Sequence, residues 1–277
     1  MKTISDKILD QERALYSEQN LIVQNCQFDG PADGESALKE CKNIAATNCF
    51  FNLRYPFWHD EAVVIKNCKM TQNCRAALWY CNDVKVENST LHGIKALREC
   101  TQIAIDNCDV DSSEFAWFCN DLTIKHTSIK GEYFALKCAN LHLCNVTLDG
   151  KYSFQYATNS TIDNCNLNTK DALWHAKDVV VKNCTLKGEY LAWYCENVTF
   201  VDCTIIGTQP LCYCKNLKLL NCTMIDTDLA FERSQVEADI NSHVVSIKNP
   251  ISGRICAKSI QEVILDYPTN CQILQQK

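Results

Sequence analysis

Three observations predict an all-β fold, a right-handed parallel β-helix of about twelve coils with 19 residues per coil. First, Cys81, Cys100, Cys119 and Cys138 follow one another at steps of 19, and Ala157, Ala176, Cys195 and Cys214 continue the step. Second, a polar residue recurs seven positions after each of these: Asn88, Asn107, His126, Asn145, Asn164, Asn183, Asp202 and Asn221. Third, pairs such as Ile103/Ile105 and Val179/Val181 alternate with polar residues, which is the period of a strand with one face buried.

Counting each coil from the cysteine at position 0 justifies its elements in order. Positions 3 and 5 are apolar and form the first strand. Position 7 is the Asn series, expected to occupy an inward turn where each amide bonds to the next and tolerates left-handed backbone. Position 8 carries a second cysteine series: Cys26, Cys49, Cys68, Cys108, Cys165, Cys184, Cys203 and Cys222. Position 10 is aliphatic, and position 12 is glycine at Gly93, Gly131, Gly150, Gly188 and Gly207. A third apolar stretch leads back to position 0. Apolar positions every six residues, the mark of a left-handed hexapeptide helix, are absent, and helical repeats need longer units. The two series absorb fifteen of the 20 cysteines as small buried hydrophobes.

One domain is expected over residues 1–277. Residues 1–20 read as an N-terminal capping helix from the spacing of Ile4, Ile8 and Leu15. Regular coils follow over 21–231, an insertion over 232–243, and final coils with a C-terminal cap over 244–277, closed by Val263, Ile264 and Leu265. On this reading Asn249 re-enters the Asn series after the insertion.

Composition narrows the function. The net charge is −6, from 27 Lys+Arg against 33 Asp+Glu, and no basic cluster occurs, so nucleic acid is not an expected partner. No run of 18 apolar residues occurs, so no membrane-spanning helix is expected. The first twenty residues lack the apolar stretch of a signal peptide, which leads to the expectation of a cytoplasmic protein with reduced thiols. The only close cysteine pair outside a 19-residue step, Cys212 and Cys214, is off zinc-ligand spacing, and a linear ladder does not converge on a metal, so neither metal nor cofactor is expected.

The coils Cys119-Asn-Asp-Leu-Thr-Ile and Cys195-Glu-Asn-Val-Thr-Phe, with the tail Ser-Ile-Lys-Asn-Pro-Ile-Ser-Gly-Arg-Ile, carry a resemblance over nearly the whole chain. The sequence resembles a bacterial family catalogued as a domain of unknown function, within the pectin lyase-like group of β-helices. The resemblance implies the fold and assigns no residue a role. The Asn-Thr-Asp, Asp-Asp and Gly-His-Gly clusters of polygalacturonases are absent here.

The candidate site is aromatic. All five tryptophans, Trp58, Trp79, Trp117, Trp174 and Trp193, share position 17 with Arg98, while Tyr133, Tyr152 and Tyr190 share position 14. Facing outward, these form a platform for an oligosaccharide. Facing inward they are core, and the same surface also suits a protein partner or a second copy. Asp171, His175 and Glu189 are the catalytic candidates: two carboxylates one coil apart suit acid–base work on a glycosidic bond. The opposing reading is a solvated surface in which Lys170 pairs with Glu189. Five carboxylates, Asp226, Asp228, Glu232, Glu237 and Asp239, mark the expected insertion as a second candidate.

Overall fold

The computed structural model describes residues 1–276; Lys277, the last residue of the expected closing coils, lies outside the described residues. The fold is the right-handed parallel β-helix, with about 14 turns of about 19 residues and no helix among the described residues. The chain divides into two compact units, Met1–Ala139 and Asn140–Lys277.

Both units repeat one coil. In the coil from Cys100, the first side is the strand Thr101–Asp106 and the second is the short strand Asp109–Asp111. Ile103 pairs with Val84 on one flank and Leu122 on the other, so the 19-residue step is the register itself. In the second unit Val179 pairs in the same way with Ser160 and Val198. Ile103 and Ile105 are buried while Gln102, Ala104 and Asp106 face out, as a pleated strand requires. Positions 0, 8 and 10 fill the interior. There the cysteines touch along the stack: the main-chain N–H of Cys81 meets Sγ of Cys100 at 3.3 Å, and that of Cys165 meets Sγ of Cys184 at 3.3 Å. In the coil from Ala176, a Cβ on Gly188 at position 12 (φ +157°) would lie 2.4 Å from the Thr169 carbonyl oxygen, so this residue admits no side chain.

The Asn series lines the outside of its corner, not the inside. Asn67, Asn107 and Asn164 are exposed, because the left-handed residue at position 7 turns the chain and sends position 8 inward. Their amides still form the expected ladder, Asn67 to Asn48 at 3.2 Å and Asn107 to Asn88 at 2.7 Å. A second outer ladder runs at position 2, with Asn43 bonded to Asn20 at 2.6 Å and Asn216 to Asn197 at 2.9 Å. Its residues are also left-handed, with φ of 54° at Asn43 and 50° at Asn216.

The capping helix is replaced by another coil. Lys2–Ser5 is a strand paired with residues 21–24, and Asp6 takes the ladder position 19 residues before Asn25, whose amide it accepts at 3.3 Å. The helical spacing of Ile4, Ile8 and Leu15 is coincidental, since Ile8 is 70% exposed. The expected insertion is likewise strand. Gln235–Lys248 is continuous, and Val236 stands opposite Leu217, one 19-residue step back. Asn241 bonds to Asn221 at 3.0 Å and holds the ladder place assigned to Asn249, which instead bonds to Asp266 at 2.9 Å. The closing strand is Asn270–Gln275, paired with residues 252–257, and not residues 263–265.

Candidate functional site

The third side of the coil is strand only in short stretches such as Leu78–Trp79 and Leu97–Arg98, which pair in parallel. In residues 113–118 the backbone is left-handed at alternate positions, with φ of 59°, 59° and 58° at Glu114, Ala116 and Phe118. The same pattern recurs at Tyr190, Ala192 and Tyr194. Side-chain direction therefore stops alternating: positions 15 and 16 are both buried, position 17 is half-buried and position 18 is exposed. That is why alternation in the sequence left the tryptophans unoriented.

Position 17 is a structural ladder. Each indole N–H donates to the position-14 carbonyl of the following coil: Trp58 to Ala76 (2.6 Å), Trp79 to Lys95 (2.8 Å) and Trp117 to Tyr133 (2.8 Å) in the first unit. Trp174 to Tyr190 (2.8 Å) and Trp193 to Gln209 (2.7 Å) do so in the second. Gln155, in the same position, offers its amide to the Asp171 carbonyl at 3.4 Å. Trp58 and Trp79 stack at 4.9 Å, Trp174 and Trp193 at 5.4 Å, and Arg98 lies between Trp79 (5.1 Å) and Trp117 (5.6 Å). The tyrosines of position 14 meet these rings edge-on, Tyr133 against Trp117 at 6.4 Å and Tyr190 against Trp193 at 5.4 Å. Tyr152 sits beneath the Lys151 ammonium at 5.6 Å.

A further ring row lies at position 18, one residue further on, of which sequence reasoning singled out only His175. In the second unit Tyr156, His175, Tyr194 and Tyr213 stack at 4.9, 5.0 and 4.8 Å with nearly parallel planes. In the first unit His59 stacks on Tyr80 at 4.8 Å. The signal was available: an aromatic residue directly precedes position 0 at Tyr80, Phe118, Tyr156, Tyr194 and Tyr213.

Of the catalytic candidates, Asp171 and Glu189 lie on adjacent coils, the Asp171 N–H donating to the Glu189 carbonyl at 2.9 Å. Glu189 is held by Lys170 at 3.0 Å, and His175 has a tyrosine on each face. Asp171 is 6% exposed; burial raises its carboxyl above the usual range, Lys170 opposes the rise and Glu189 adds to it. The carboxylates of the C-terminal region also disperse, Glu232 to Lys248 at 3.3 Å and Asp239 to Arg254 at 3.2 Å. Among the described residues no three His, Cys, Asp or Glu side chains form a metal-binding group.

A family model described as "Protein of unknown function (DUF3737)" matches residues 2–274. No curated protein matches the chain. Among solved structures it is similar to PfbA, a surface adhesin of Streptococcus pneumoniae, at 9% identity over 87% of this chain and 77% of that one, with a TM-score of 0.38. It is similar also to the A-module of the Azotobacter vinelandii mannuronan C-5 epimerase AlgE4, at 9% identity, 97% and 78% coverage and a TM-score of 0.37. A family 28 exopolygalacturonase of Yersinia enterocolitica aligns at 8% identity, 99% and 72% coverage and a TM-score of 0.29. At such identities nothing about activity passes from these proteins to this chain.

Proposed function

The chain belongs to that family of unknown function, and from the surface of its second unit we propose that it binds a linear oligosaccharide without cleaving it. The carrying observation is the ring stack of exposed Tyr156, His175 and Tyr194, continued by the half-buried Tyr213. A row of like groups about one coil spacing apart offers the same contact repeatedly, and a repeating polymer gains affinity by using it several times. The stacked rings turn their faces to one another and their edges outward, so the contacts offered are aromatic edges, phenol hydroxyls and an imidazole. Trp174 and Trp193 lie beside the row and hold it, their N–H groups being occupied by main chain. Binding is preferred to cleavage because Glu189 is tied to Lys170 and both faces of the His175 ring are covered.

Outward ring edges favour a second reading, a docking surface for a protein partner or a second copy, since tyrosine and tryptophan are enriched at such interfaces. Intrinsic fluorescence titrated with neutral and acidic oligosaccharides of increasing length separates the two. The binding reading expects affinity to rise with chain length and to fall at least tenfold in Tyr194→Ala. No response across the panel, together with a self-association by light scattering that Tyr194→Ala abolishes, would transfer the surface to the second reading.

A further inference from the structure

Within the first unit the ladder step departs from 19 twice: Asn25 to Asn48 is 23 residues and Asn67 to Asn88 is 21. Both sets of extra residues fall at one corner, in residues 30–35 and 71–75, on either side of the regular corner at residues 52–54. Together they wall a cleft of about 650 Å³, within the range of small-molecule sites. Extra residues on one face of a repeat commonly build a binding surface.

The floor of the cleft is wired. Asn52 donates to Asp29 at 2.8 Å and accepts from the Thr71 hydroxyl at 2.5 Å and the Asn73 amide at 3.2 Å. The two arginines differ. Arg54 is neutralised by Asp33 at 3.2 Å and Glu35 at 3.3 Å. Arg75 is exposed, has no carboxylate within ion-pair reach among the described residues, and lies 6.0 Å from the Tyr55 ring centroid. A guanidinium presents a planar fork of donors to a carboxylate or phosphate.

We propose that this cleft is a binding site for a small hydroxylated oxyanion, with Arg75 taking the anionic group and Asp29, Gln72 and Asn73 the hydroxyls. The site lies at a corner of the first unit and does not depend on the aromatic reading of the second. Arg75 supplies charge, the amide-rich floor supplies orientation, and the pre-formed bonds of Asn52 limit the ordering that binding requires.

Isothermal titration of the full chain with glucuronate, glucose 6-phosphate, glucose and inorganic phosphate tests it. At least one sugar anion should bind tenfold or more tighter than glucose. Arg75→Gln should erase that margin, while Lys69→Gln, which removes the same charge elsewhere on the unit, should keep it. Preference for glucuronate assigns a carboxylate ligand, and preference for glucose 6-phosphate a phosphate ester. Glucose binding as tightly as the anions, inorganic phosphate binding as tightly as the better sugar anion, an unchanged Arg75→Gln, or no heat from any probe would overturn the proposal. The comparison of glucose with the two anions on the unsubstituted chain stands even if the variant fails to fold.

Discussion

The indole nitrogen of Trp174 donates a hydrogen bond to the main-chain carbonyl of Tyr190, 2.8 Å away in the following coil. This bond shows why tryptophan recurs at position 17. A left-handed residue at position 14 turns its carbonyl toward the neighbouring side chain, and a long, flat donor reaches it while stacking on its own kind. Trp174→Phe keeps most of the stacking and removes the donor. It should lower stability by about 1–2 kcal/mol, the cost of a half-buried carbonyl left without its partner, measured by denaturant melts. A melt unchanged within error would show that the N–H is dispensable.

Asp60 occupies position 0, where most coils have cysteine, and is 2% exposed. Its Oδ1 accepts the Cys41 N–H at 2.8 Å, its Oδ2 has no partner, and burial raises its carboxyl from 3.8 to about 8. The folded state thus holds a proton that the unfolded state releases near pH 4. Stability from this group is full below about pH 4, falls as pH rises, and levels off above about pH 8. At about 1.4 kcal/mol per unit the total is on the order of 6 kcal/mol. Asp60→Asn retains the acceptor and cannot ionise, so it should match the parent near pH 4 and exceed it near pH 8. Parallel melts across that range test the sign.

Asn107 combines a φ of 50° with a side-chain bond to Asn88 at 2.7 Å. Alanine at this place loses the bond and meets the left-handed penalty, together about 1–2 kcal/mol. Glycine removes only the bond and should recover about half of that loss. Equal midpoints for Asn107→Ala and Asn107→Gly would show that backbone strain plays no part in choosing asparagine here.

The coil was legible because its register equals its sequence period: Ile103 opposite Leu122 is the same fact as the 19-residue step. The Asn ladder was legible as bonding but not as direction, since an inward and an outward corner have the same sequence spacing. The third side resisted because its left-handed alternation at Ala192 and Tyr194 breaks the period-2 rule, putting Leu191 and Ala192 both inside. The ring row at position 18 hid beside the more conspicuous tryptophans for the same reason. The cleft at Arg75 was visible as an irregular spacing around Gln72 and Asn73, but nothing local marks two insertions as walls of one space. At the C-terminal end, the break in the cysteine series read as an insertion, although Val236 stands opposite Leu217 one 19-residue step back and the register shifts only at an irregularity between Leu219 and Cys222.

The thiols give the last prediction. All 20 cysteines are free, and only Cys144 and Cys256 are more than slightly exposed. Burial pushes Cys41 and Cys212 up to about 12 and Cys222 up to about 11, so at neutral pH these are neutral thiols without solvent access. A thiol-specific chromogenic reagent should therefore label at most two residues per native chain and all 20 after denaturation. Cys144→Ser and Cys256→Ser should each remove one native equivalent. Rapid native labelling of more than two would mean that the coils open locally, and the excess sites would identify which coils do so.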